Sequence, residues 1–118
     1  VFCIDDRKRH DLEAAGASVV MSDSSDGCPD LGRVFDKLAQ MEINDVLVEA
    51  GPTLAGALLS AGYVDELVIY QAPHMMGSET HGMIETSGLT QLDQRIELEF
   101  LDVTRVGPDL RITAGLRP

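Results

Sequence analysis

The residue types that bear on chemistry cluster in one stretch, DVLVEAGPTLAGALLSAG, from Asp45 to Gly62. Glu49 places a carboxylate just before a turn. Gly51 tolerates that turn, and Pro52 gives up an N–H that would have no intrahelical partner, so a helix is expected to begin there. The free N–H groups of a helix start attract anions. Gly51 to Thr53 therefore offer backbone donors to a phosphate or pyrophosphate near the Glu49 carboxylate, and the small Ala55, Gly56 and Ala57 let the first turns lie close to a sheet or admit a ligand. Two plainer readings stand next to this one. The turn can be an ordinary strand-to-helix connection with close packing, and Glu49 can bond to the helix's own N–H groups, favoured by about 0.3 to 1 kcal/mol from the dipole.

Other chemistries fit less well. Gly51 and Gly56 have GxxxxG spacing, but Ala57 and Leu58 stand where a nucleoside triphosphatase needs lysine and a hydroxyl residue. No GxGxxG occurs. His10, His74, His81, Cys3 and Cys28 have neither HxxxH nor CxxC spacing, so no metal site is expected. A zinc deaminase needs HxE and PCxxC, whereas Cys28 sits in GCPD. A nucleophilic serine of the GxSxG type is absent.

The elements that must position these residues follow from periodicity. Val46, Leu47 and Val48 are expected to form a strand buried on both faces, with Glu49 at its carboxyl end. Thr53 to Ala61 is the helix and Gly62 its stop. Leu54, Leu58 and Leu59 supply its packing stripe, and Gly56, which costs about 1 kcal/mol against alanine inside a helix, implies a steric need.

Upstream, Val1 to Ile4 reads as a strand, Asp5 or Asp6 as a helix cap, and Gly16 as that helix's end. Arg7 with Asp11 and Arg9 with Glu13 mark a solvated face. Ala17 to Met21 is a second strand, and Ser22 to Pro29 a polar loop. Asp30 caps a helix whose Leu31, Val34, Phe35 and Leu38 form a core stripe.

Downstream, Glu66 to Ala72 is a strand closed by Pro73. Residues 73 to 95 show no strand, and so long a loop suggests a lid beside the site, with Met75, Met76, Met83 and Ile84 as anchors. Ile96 to Val103 changes alternation phase near Phe100, which predicts a bulge, and Gly107, Pro108 and Asp109 turn a C-terminal antiparallel hairpin. The fold class is α/β, with a mixed, mostly parallel sheet flanked by helices.

With 118 residues and 44% hydrophobic content, the chain suits one globular domain at most. Its net charge of −11 argues against a nucleic-acid or acidic-membrane surface. Two cysteines make no disulfide framework, so free thiols in a cytoplasmic setting are expected. No apolar run approaches the roughly 20 residues of a membrane helix. The start at Val1 suggests a piece of something longer.

The segment LVEAGPTLAGALLSAGYVDELVIYQAPHMMG resembles the C-terminal reductase domain of the bifunctional riboflavin biosynthesis protein RibD. The resemblance lies in Leu47 to Gly51, Thr53 to Gly56, Val64 to Leu67, Ala72 to Pro73 and Gly77, and departs at His74, Met75 and Met76. It implies a partial dihydrofolate reductase-like fold and NADPH-dependent reduction of 5-amino-6-(5-phosphoribosylamino)uracil to the ribitylamino product. It further implies that Glu49 contacts substrate and that Gly51 to Ala57 bind the cofactor. Upstream reductase strands and a deaminase domain of a longer parent, and a homodimer, are the implied partners, with this piece inactive alone. A non-catalytic dimerisation module and another dihydrofolate reductase-like enzyme acting on a pterin are the alternatives.

Overall fold

The computed structural model describes residues 1–3, 5–22, 27–77, 79–86 and 89–116, and the chain divides into two compact units, Val1–Leu47 and Val48–Pro118.

In the first unit, β1 (Phe2–Cys3) pairs in parallel with β2 (Val20–Met21), in the register Phe2 to Val20 and Cys3 to Met21. The second strand is shorter than the expected Ala17 to Met21. Between them runs α1 (Asp6–Ala14), capped by the Asp5 carboxylate, which accepts the Arg7 N–H at 2.9 Å. Gly16, at φ +87°, ends the helix in the left-handed region where a Cβ is unfavourable. Arg9 pairs with Glu13 at 2.9 Å, and α1 buries no residue, as a solvated helix should. In α2 (Leu31–Gln40), Asp30 caps by accepting the Arg33 N–H at 2.9 Å, and the predicted stripe Leu31, Val34, Phe35 and Leu38 is half-buried. Residues 23–26 of the Ser22 to Pro29 loop lie outside the described residues; Ser22 itself is buried.

The second unit contains α3 (Pro52–Ser60), β3 (Glu66–Gln71), β4 (Leu98–Val106) and β5 (Asp109–Leu116). The three strands form an antiparallel sheet in the order β3-β5-β4. The β4 register slips between Phe100 and Asp102, which is the bulge that the change of alternation requires. Gly107, at φ +61°, occupies the first position of the two-residue turn, where hairpins of the II′ kind take glycine. Ala114 on the central strand is fully buried beside its ladder neighbours Leu67 and Phe100.

Three expectations are corrected. Val46 to Val48 is not a strand: the segment pairs with no described strand, and Leu47 is 82% exposed. A strand exists only through its ladder, and neither sheet extends one to this triplet. The parallel part of the mixed architecture is accordingly confined to β1 and β2. Leu54 does not join the packing stripe of α3. It is 45% exposed, and burial falls on Leu58 at 4% and on Leu59, a little more than one turn further on. Nor do Met75, Met76 and Met83 anchor the long loop; all three are exposed, and only Ile84 is half-buried.

Candidate functional site

At the start of α3, Gly51 is the cap residue and contributes no side-chain bond, while Pro52 occupies the first helical position. The first backbone bond of the helix runs from the Ala55 N–H to the Gly51 carbonyl at 3.2 Å. Pro52 has no N–H, so the amides of Thr53 and Leu54 point out of the helix end with no partner among the described residues. This is the donor arrangement expected of an anion site, and the positive end of the helix dipole lies at the same place.

Glu49 is exposed and makes no hydrogen bond among the described residues. It does not cap α3, so the plainer role considered for it is not adopted here.

A different carboxylate reaches the helix. The Glu85 N–H donates to the Pro52 carbonyl at 3.1 Å, and the Thr53 hydroxyl donates to Glu85 Oε2 at 2.8 Å. The Glu85 backbone also crosses directly over Gly56. A Cβ at that position would lie 1.7 Å from the Glu85 carbonyl oxygen, far inside any van der Waals distance. Gly56 is buried under that backbone, whereas Thr53, Ala57 and Ser60 on the same helix face remain exposed. The steric need implied by a mid-helix glycine thus has a specific cause.

Thr53, Gly56, Ala57 and Ser60 form one wall of a groove of about 560 Å³, and the segment from Ile84 to Thr86 forms the other. Small side chains at intervals of three and four residues leave this face of α3 open. The loop therefore touches the helix start, as a lid beside the site would have to. Ala55 is half-buried and, with Pro52, Leu54 and Gly51, completes the expected segment. Sequence reasoning missed Glu85. Gly56 was the available signal, since it announces a close neighbour without naming it.

A second charged group lies on the hairpin. Arg111 donates to Asp102 Oδ2 at 3.0 Å, and the Thr104 hydroxyl donates to the same oxygen at 2.8 Å. The Arg111 hydrogen bond, followed by that of Thr104, holds the Asp102 carboxyl below its ordinary value. Arg111 is shifted up in turn, first by its bond to Asp102. This cluster joins strands β4 and β5 rather than forming part of the groove. The first unit has its own groove of about 240 Å³, lined by Ser22, Arg33, Asp36 and Lys37 among others.

The model of the RibD C-terminal domain family matches residues 3–112. The chain belongs to the RibD C-terminal domain family. The riboflavin biosynthesis protein RibD of Escherichia coli (strain K12) is 46% identical over 81 residues, covering 69% of this chain and 22% of that protein. The 5-amino-6-(5-phosphoribosylamino)uracil reductase of Buchnera aphidicola subsp. Acyrthosiphon pisum (strain APS) is 37% identical over 75 residues, covering 64% of this chain and 36% of the relative. Among solved structures, Acinetobacter baumannii RibD (form 2) superposes with a TM-score of 0.81 at 28% identity, over 92% of this chain and 29% of that one. The fold is thus that of a RibD reductase domain, and the chain spans between 22% and 36% of the length of these relatives.

Proposed function

We propose that these 118 residues form the C-terminal part of an NADPH-dependent reductase that converts 5-amino-6-(5-phosphoribosylamino)uracil to its ribitylamino product in riboflavin biosynthesis. The observation that carries this reading is the pair of amides at Thr53 and Leu54, without a partner among the described residues, at the start of α3 in a RibD-family chain. The exposed donors suit an anionic pyrophosphate, and the small, exposed Ala57 leaves room beside them in the groove.

In this reading Gly51 to Ala57 hold the cofactor, with Thr53 and Leu54 as the phosphate donors. When bound, NADPH supplies the hydride that reduces the substrate's ribose. Glu49, exposed and without a partner among the described residues, accepts hydrogen bonds from sugar hydroxyls or pyrimidine N–H groups and so orients the acceptor. The remaining reductase strands and a deaminase domain belong to a longer cytoplasmic parent. The 118-residue chain keeps part of the dinucleotide site without completing the substrate pocket.

Leu54→Asp tests the site. A carboxylate in the first turn favours the helix but repels a phosphate, so the variant should fold normally and bind NADPH about tenfold more weakly in a calorimetric titration. Unchanged affinity would remove α3 from the cofactor site. Turnover of the authentic substrate by this chain alone, at the rate of a longer RibD protein, would show that the pocket is already complete.

A dimerisation role receives separate support from the hairpin. Phe100, Leu101 and Val103 are exposed on β4, an edge strand with one side unpaired among the described residues. Light scattering should give a dimer, and Phe100→Glu a monomer.

A further inference from the structure

We infer that the segment from Ile84 to Thr86 is a strap latched to α3 through Glu85, and that an anionic dinucleotide opens the latch when its phosphates take the helix start. The inference rests on the phosphate-binding role proposed above for α3. It concerns how access to that site is controlled.

Three contacts of different kinds seat the strap. The Glu85 N–H reaches the Pro52 carbonyl at 3.1 Å, the Thr53 hydroxyl reaches the Glu85 carboxylate at 2.8 Å, and the bare Cα of Gly56 admits the Glu85 carbonyl. The backbone contacts fix where the strap lies. The side-chain contact fixes what it competes with.

Thr53 has one hydroxyl proton, so donating it to Glu85 withdraws it from any phosphate oxygen. The Glu85 carboxylate also brings a negative charge to the first turn of α3, the position that the helix dipole makes attractive to an anion. A phosphate arriving there meets a like charge within a few ångströms. The protein's own carboxylate and the ligand's phosphate are thus alternatives at one place. Both Thr53 and Glu85 are exposed, so water solvates the carboxylate as soon as it leaves and opening exposes no buried charge. The latched form lowers the apparent affinity by the fraction of molecules that hold it.

The test uses the 118-residue chain, labelled with nitrogen-15, with and without saturating NADPH. The Thr53 and Leu54 amide signals should move, and the Glu85 amide should lose its protection from hydrogen exchange. Glu85→Gln keeps an acceptor for Thr53 but removes the charge, and should bind NADPH about three- to tenfold more tightly. A Glu85 amide that stays protected while the Thr53 and Leu54 signals move would overturn the strap alone. So would a Glu85→Gln affinity equal to or below that of the parent chain. If NADPH moves neither Thr53 nor Leu54 in either protein, the phosphate-binding reading falls and the strap falls with it.

Discussion

Gly56 connects the stability of a helix to the position of a loop. Alanine there would favour α3 by about 1 kcal/mol through helix propensity. Its methyl carbon would, however, lie 1.7 Å from the Glu85 carbonyl oxygen. The strap is the easier of the two partners to displace, because lifting it forfeits one backbone bond and one exposed side-chain bond, each worth about 0.5 to 1.5 kcal/mol. Gly56→Ala is therefore expected to leave the helical circular dichroism intact while the Glu85 amide exchanges freely. An amide as protected as in the parent chain would contradict the contact. The leucines of the same helix separate by burial. Leu58→Ala should cost about 2 to 5 kcal/mol in urea unfolding, whereas Leu54→Ala should stay within about 0.5 kcal/mol of the parent. Equal costs would mean that Leu54 packs after all.

Among the elements, the C-terminal hairpin ties its polar residues into one pair of strands. The Asp102 carboxyl, whose ordinary value is 3.8, is held lower by Arg111 and Thr104. Its contribution to stability is present above the unfolded value and is lost as pH falls through the folded one. Asp102→Asn should therefore lower the melting temperature at neutral pH, and the difference from the parent should shrink as the pH is taken from about 7 to about 3. A difference that does not change with pH would assign the effect to packing. The hairpin was legible because its signals are local: the phase change near Phe100 implied the bulge, and the glycine and proline at 107 and 108 implied the turn. The helix caps at Asp5, Asp30 and Gly51 were legible for the same reason. Val46 to Val48 misled because apolar, β-branched character says that a segment can pair, while pairing itself depends on a ladder supplied from elsewhere. Glu85 was invisible because its partner Thr53 is 32 residues away, and no periodicity spans that distance. At the candidate site, the glycine-proline helix start could thus be read from neighbouring residues, and the Glu85 segment packed on it could not.

At the scale of the whole molecule, the proposed cofactor site works against its surroundings. The chain carries a net charge of −11, and an approaching dinucleotide is itself an anion. Attraction comes from two amides and a helix end, which act over the first turn only. Repulsion comes from the summed field, which reaches about 30 Å at 0.01 M salt and about 10 Å at 0.1 M. Salt should therefore weaken the long-range repulsion more than the short-range attraction. NADPH affinity is expected to rise as ionic strength increases from about 0.01 M to about 0.1 M, most clearly in the association rate. A site built on clustered lysines and arginines would show the reverse, because salt would screen its main source of binding energy. Stopped-flow fluorescence at the two ionic strengths distinguishes them. A steep fall in association rate with salt would place the phosphates on side-chain cations instead of the α3 backbone.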